Sequence, residues 1–483
     1  MKKIFVFLLV NSLIFNVFGQ SDVQQLVATM LGETPIEEDL QELCDKIGGR
    51  VTGSKANVKA VEWGLQKFQE AGVSAQKESF SMPSLWLEKS TTAKISGGID
   101  FKPMVVAKYQ SPHGKHVGQL IPVGMGTAED FEKVKSQVTG NFILVEQDLC
   151  FNIDGLFAEY TNAAHAEIQA KKHGAKGIVF MASRPKGLLY RFITMKTTDN
   201  DMPQIVMARE DAKRCFRILE NEKLNIEINI DATINSEYIS NNVIAEIKGS
   251  EKPEEVVIIG AHLDSWALGT GANDNGCNVA MMIDLARQIK KIGIQPKRTI
   301  RFALWNGEEQ GYFGSWAYTR DHLKEMDNHL MAISIDIGSG GITGFFTNGN
   351  EELIKVVDKL LQPVVAFEDF TNINAPIVGT DNFDFMLQGV GNLVGAHKPQ
   401  VYGQNYHASS DTFDKVDLKS LKRNSAIVGA VILGLANMET KDITWKRQTR
   451  PEIQAMFEQF DLEFTMRMFN VWDAWMNGNR GRK

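Results

Sequence analysis

From Asn242 onward the chain alternates short, wholly apolar runs with longer amphipathic stretches, and this alternation constrains the fold more than any other feature. The runs Val256–Ile259, Ile300–Leu304, Met331–Ile335 and Leu393–Val394 are separated by helical patterns near 278–291, 311–325, 351–361 and 418–436. Apolar runs of this kind belong inside a sheet covered on both faces, and strand–helix alternation makes such a sheet largely parallel. The expected class is α/β: a mixed, mainly parallel sheet flanked by helices.

At 483 residues the chain exceeds one ordinary core, so more than one module is expected. Ser54–Glu70 reads as an amphipathic helix with Val58, Val61, Leu65 and Phe68 on one face, ended by Gly72, and a strand-like stretch follows to Phe80. Residues 112–236 read as a separate insert. Val117–Val123 and Gly140–Val145 are strand-like there, a helix over about Tyr160–Lys172 stops at Gly174, and Gly177–Met181 is a buried-type strand. The insert's histidines (His113, His116, His165, His173) are scattered; a zinc site needs three or four converging ligands, so these read as surface or packing residues.

Both ends are distinctive. Lys2 and Lys3 precede an apolar run from Ile4 to Phe15, with Val17-Phe18-Gly19 behind it. That is the layout of a secretory signal peptide over 1–19; the run is shorter than a spanning helix needs. Export to a periplasmic or extracellular location is expected, with no lasting membrane insertion once the leader is removed. Its two lysines would leave with it, taking the net charge of −7 to −9 (−7 − 2). An acidic chain has no electrostatic footprint for nucleic acid. Four widely spaced cysteines (Cys44, Cys150, Cys215, Cys277) include no CxxC pair, which argues against a thiolate metal site and leaves disulfide pairing open. In the tail, 441–483, Pro451 opens a helical pattern in which Phe457, Phe460, Phe464, Met468, Val471 and Trp475 recur at three- and four-residue steps. A helix docked on the main unit is the expected role; a homodimer contact or a lid near a cleft are the sharper alternatives.

Chemistry-bearing residues follow the apolar runs. Val256–Ile259 leads to His262 and Asp264, the run at 300–304 to Glu308 and Glu309, the run at 331–335 to Asp336, and His407 follows the run at 393–394. In open α/β sheets, ligands bind beyond the carboxyl ends of the strands, so these side chains converge on one crevice. Imidazoles and carboxylates suit zinc, and a carboxylate shared by two metals roughly 4 Å apart serves hydrolysis. Of two adjacent glutamates, one can ligate while the other takes a proton from water. Asp264, two residues after His262, is placed to orient the imidazole. Singly, each feature also has a plain reading as a polar turn, a helix start or a cap.

The stretches His262-Leu263-Asp264-Ser265, Gly271-Ala272-Asn273-Asp274-Asn275-Gly276, Trp305-Asn306-Gly307-Glu308-Glu309-Gln310-Gly311, Gly314-Ser315, Ser334-Ile335-Asp336, Tyr406-His407 and Asp411-Thr412 together resemble the zinc peptidases of family M28 over about residues 25–440. The resemblance implies two zinc ions per chain. His262 and Asp336 would hold one, Glu309 and His407 the other, Asp274 would bridge them, and Glu308 would be the general base. It also implies a cis peptide after Asp274, and it marks Asp381, in Thr380-Asp381-Asn382, as a residue lining the substrate cleft, although His is commoner in the family where Asn382 stands. The insert, 112–236, resembles a protease-associated domain; 20–111 with 237–440 would form the catalytic domain.

The implied activity is hydrolysis of dipeptides or short peptides by an exopeptidase, with dipeptidase or carboxypeptidase specificity ahead of aminopeptidase. A binding protein that keeps the fold without catalysis would have lost ligands, and none is missing; glutaminyl cyclisation would use one zinc.

Overall fold

The computed structural model describes residues 21–194, 202–398 and 402–483; the leader expected at 1–19 lies outside them. In chain order the strands are β1 (Ser74–Met82), β2 (Leu85–Gly97), β3 (Val105–Ala107), β4 (Gly114–Pro122), β5 (Phe142–Val145), β6 (Gly177–Met181), β7 (Gln204–Met207), β8 (Leu224–Asn235), β9 (Tyr238–Ile247), β10 (Lys252–His262), β11 (Arg298–Trp305), β12 (His329–Ser334), β13 (Ile342–Phe346) and β14 (Asn392–His397). They form two seven-stranded sheets, ordered β1-β9-β11-β10-β12-β14-β13 and β2-β8-β4-β5-β6-β7-β3.

The four apolar runs are strands at the middle of the first sheet. β11, β10, β12 and β14 are parallel neighbours. Strands β9 and β1 on one side and β13 on the other are antiparallel, so the sheet is mixed and its parallel part is confined to the centre. Period-two alternation divides the β10 side chains between two layers. Val257 and Ile259 join a core with Phe68, Ile283, Ile427 and Val431, whereas Val256 and Ile258 join one with Trp305, Tyr318 and Phe385. Helices Lys55–Glu70, Cys277–Lys291 and Leu418–Ala436 thus cover one face, and Phe313–Asp321 and Asn382–Leu387 the other.

The helix Lys55–Glu70 starts where Ser54 caps the Asn57 amide. Its buried face runs through Asn57, Ala60, Val61, Gly64 and Phe68, and Val58 points to solvent instead.

The second sheet reaches further back than 112. β2 pairs antiparallel with β8 along its length, and β3 pairs with β7. Only Pro83 and Ser84 separate β1 from β2, so one extended stretch crosses from the first sheet to the second. The polar spelling of β2 hides this, because only Trp86, Ala93 and Ile95 reach that sheet's core.

In the tail, the apolar stripe does not form one helix. Three short helices, Arg450–Gln459, Glu463–Met468 and Trp472–Met476, are broken at Asp461 and Asn470, which have φ of 51° and 57°. Phe457, Met466, Val471 and Trp475 pack on Tyr312, Phe383 and Leu387 of the first unit. Phe464 meets His165 of the second unit at 4.7 Å between ring centres.

Candidate metal centre

β10 ends on His262, and Asp336 stands two residues beyond β12. After β11, Gly307 turns the chain with φ +73°, a conformation glycine adopts without steric cost, and the short helix Glu308–Gly311 begins. Asp274 lies on the Ala272–Gly276 turn, where the Asp274–Asn275 peptide is cis. His407 stands two residues beyond the short helix Tyr402–Asn405. Two donor groups result, His262–Asp274–Asp336 and Asp274–Glu309–His407, with Asp274 common to both. His262 Nε2 is 3.1 Å from Asp274 Oδ1 and 3.4 Å from Asp336 Oδ1. His407 Nε2 is 3.1 Å from Asp274 Oδ2 and 2.9 Å from Glu309 Oε2.

Asp264 plays a different part from the one its spacing predicts. Its side chain stays 3.9 Å from His262 Nδ1, which lies instead 3.0 Å from the Asp264 backbone carbonyl. The carboxylate accepts the Thr52 hydroxyl at 2.9 Å and the Glu308 and Glu309 amides at 3.4 and 3.3 Å. The reason is local. The chain bends after β10, which turns the carbonyl back to the ring and aims the side chain at the free N–H groups opening the helix at Glu308.

Residues distant in sequence hold the rest. Arg50 is fully buried and donates to the carbonyls of Leu263 (2.8 Å), Thr270 (2.6 Å) and Gly271 (2.9 Å), pinning the loop between His262 and Asp274. Asp411 accepts the Asn273 and Asp274 amides at 2.8 and 3.1 Å. Asp411 belongs to a quoted motif, whereas nothing in the spacing around Arg50 marks it. His407 Nδ1 lies 2.8 Å from the carbonyl of Arg191, a residue between β6 and β7.

The electrostatics call for cations. Both imidazoles direct Nδ1 to a backbone carbonyl, so Nδ1 carries the proton in the neutral ring and Nε2 presents a lone pair. In the neutral ring each lone pair faces carboxylate oxygens at about 3 Å, an arrangement of acceptors against acceptors that either a proton on Nε2 or a bound cation relieves. Asp274 Oδ2, Glu309 Oε1 and His262 Nε2 are buried without a hydrogen-bond partner among the described residues. Burial pushes Glu308 well above the usual carboxyl range against the pull of His262, and pushes Glu309 up to about 7 against that of His407. Despite burial, the Glu309 and Asp274 carboxylates hold His407 up at about 9. The donor set fits one or more divalent ions.

Asp381 departs from expectation. It is 1% exposed and shares a recess with Ile258, Trp305 and Phe385 under the sheet rather than lining an open cleft. Neither carboxylate oxygen has a hydrogen-bond partner among the described residues, and burial drives its carboxyl well above the usual range. Asp381 sits on the turn opening the buried helix Asn382–Leu387, which points it inward. The four cysteines are buried and unpaired. Cys277 packs with its thiol 3.5 Å from the Asn273 carbonyl.

Fold and site together define an α/β protein with a buried imidazole–carboxylate centre at the carboxyl ends of parallel strands. Residues 242–432 match Peptidase family M28, a span that includes His262, Asp274, Glu308, Glu309, Asp336 and His407. Human carboxypeptidase Q is 27% identical over 414 residues, covering 83% of this chain and 85% of the relative. The M28 peptidase precursor of Shewanella amazonensis superposes with a TM-score of 0.79 at 24% identity, covering 89% of this chain and 98% of its own. BSAP, a zinc aminopeptidase from Bacillus subtilis, does so with 0.65 at 19% identity, covering 84% and 95%. The chain thus carries a match to peptidase family M28 over residues 242–432 and is similar to carboxypeptidase Q.

Proposed function

We propose that the chain is an exported di-zinc exopeptidase that hydrolyses dipeptides or short peptides. The observation that carries this reading is the pair of buried imidazoles whose Nε2 lone pairs face a shared Asp274, one beside Asp336 and the other beside Glu309. His262 and Asp336 would hold one zinc, Glu309 and His407 the other, with Asp274 common to both. Zinc, when bound, would polarise a water and the scissile carbonyl.

Glu308 is the acid–base group of this reading. Its carboxylate takes a proton from the attacking water and delivers it to the leaving amine nitrogen. The buried Asp264 carboxylate holds the amides of Glu308 and Glu309, so proton carrier and neighbouring donor are placed by one group. Beside them lies a cavity of about 390 Å³, with Gln310, Phe313 and Trp316 from the first unit, Tyr109 and Ile193 from the second, and Phe469 and Asn470 from the tail. Walls from three parts of the chain suit a short, extended substrate. Among them, the Arg480 charge is engaged by Asp384 at 2.7 and 2.6 Å.

The division into a leader at 1–19, a catalytic domain, a protease-associated insert and a tail goes with this proposal, and the Lys-flanked apolar run supports export. Among the described residues no helix is long and apolar enough to cross a membrane. Aminopeptidase specificity is the second reading, favoured by the likeness to BSAP. Metal analysis with a dipeptide panel, including members blocked at either end, separates the two. Glu308→Gln should keep both zinc ions and lose about 10³-fold or more in kcat; substantial turnover in this variant on every cleaved peptide would overturn the role given to Glu308.

A further inference from the structure

The loop that carries His407 is gripped by the second unit from several directions. Tyr190 and Ala408 form an antiparallel bridge. Around it the Arg191 amide donates to the His407 carbonyl at 3.1 Å, the Ser409 amide to the Leu189 carbonyl at 3.1 Å, and the His407 ring meets the Arg191 carbonyl. His407 has φ +56°. A non-glycine residue in that region persists where its surroundings over-determine it, and here the strand-like pairing with 189–191 supplies the constraint.

Behind the bridge lies a buried polar cluster. Arg184 donates to the Gly403 carbonyl at 3.4 Å and to Glu159 at 3.2 Å, and its guanidinium lies 3.7 Å over the Tyr190 ring. The Tyr190 hydroxyl bonds Glu159 and, at 3.1 Å, Ser183. Arg184, Glu159 and Tyr190 are all at most 4% exposed. One guanidinium therefore ties the His407 loop at Gly403 to the residue whose backbone pairs with Ala408.

From this we infer that Arg184, Glu159 and Tyr190 are positioning residues chiefly for the second metal site: they fix the His407 loop and so set the affinity of the zinc held by Glu309 and His407. The inference rests on the two-zinc reading above. The site of His262 and Asp336 is rooted in β10 and β12, and the loop reaches it through the Tyr402 hydroxyl, which donates to Asp336 Oδ1 at 3.3 Å.

A control is built into the same unit. Glu167 is an equally buried carboxylate, but its bonds go to Lys108 (2.5 Å) and the Thr194 hydroxyl. Glu159→Gln and Glu167→Gln each remove one partner of a buried ion pair, so both should lower the unfolding midpoint. Zinc titration by calorimetry on the full chain, with metal counts after dialysis against a graded chelator, separates structure from positioning. Wild type and Glu167→Gln should hold two zinc ions at equal affinities. Glu159→Gln should keep one tightly and bind the second about 10- to 100-fold more weakly, the usual scale for loss of an outer partner. Arg184→Lys, which keeps the charge but not the planar fork, should move the same way by less.

Folded Glu159→Gln and Arg184→Lys proteins that retain both ions within threefold of wild type would overturn the inference, as would equal loss at both sites or the same loss in Glu167→Gln. A wild-type count of one zinc would instead sink the two-zinc reading, and the inference with it. Should Glu159→Gln not fold, Tyr190→Phe, which removes only the hydroxyl, decides: a second affinity weakened several-fold supports the inference and an unchanged one overturns it.

Discussion

His262 and His407 face the same carboxylate in the same way, yet they are supported by different kinds of structure. His262 is the last residue of a central strand whose neighbours are parallel on both sides. Its loop is pinned by Arg50 from the same unit. His407 lies on a turn with no strand of the first sheet beneath it, and its ring and backbone are held by Arg191 of the second unit. A sheet position is over-determined by many ladder hydrogen bonds, whereas a turn is only as fixed as the groups that hold it. The two halves of the centre should therefore fail separately.

Several measurements would break or sharpen that contrast. The largest effect should come from Asp274→Asn, which removes the oxygen charge shared by both halves. Loss of both metals and a drop in kcat of about 10³-fold or more are expected, and retention of one tightly bound zinc would mean that the halves do not depend on this residue equally. Next comes Arg50→Met. Three carbonyls of the His262–Asp274 loop lose their donor, at a cost of about 3 kcal/mol read by denaturant unfolding, and affinity at the His262 half should weaken before that at the His407 half.

Acid should act on the sheet-rooted half. His329 opens β12, the strand leading to Asp336; its ring lies 3.0 Å from the Tyr318 hydroxyl and 2.9 Å from the Glu325 carbonyl, and burial lowers its pKa to about 4. The unfolded chain binds this proton below about pH 6.5, so stability should fall as pH drops from there and level off near 4, by on the order of 3 kcal/mol in all. His329→Gln should flatten that part of the unfolding profile; an unchanged profile would remove His329 as its source. The smallest effect is expected of Thr52→Val. The hydroxyl donates to Asp264 and accepts the Gly307 amide at 3.1 Å, so about 1 kcal/mol and a several-fold fall in kcat should follow, with metal content unchanged.

The positions of the donors along the chain were legible because burial on both faces leaves an unmistakable spelling. A strand such as Val256–Ile259 can only be internal, and a residue just past its end must stand at the carboxyl edge of the sheet. His262, Glu308, Glu309, Asp336 and, more distantly, His407 follow from that rule, and the M28 phrases add Asp274. Side-chain direction was not legible. Asp264 turns to the Glu308 amides and Asp381 turns under the sheet, because a bend of one residue decides which way a carboxylate points. Arg50 and Arg191 escaped notice for another reason: they act on or through backbone carbonyls, which every residue carries and no motif records.

The sequence alone therefore determined the α/β class, the identity of the central strands and the chemistry of the donors, since these depend on local pattern and on what lies beside each strand end. Tertiary structure decided the reach of the second sheet back to Leu85, the breaks at Asp461 and Asn470 that fold the tail against the first unit, and the grip of 184–191 on the His407 loop. Those features join residues tens to hundreds of positions apart, such as Arg184 with Gly403 and Arg50 with Gly271. Contacts at that separation are selected by packing of the whole chain, and no local preference for helix, strand or turn encodes them.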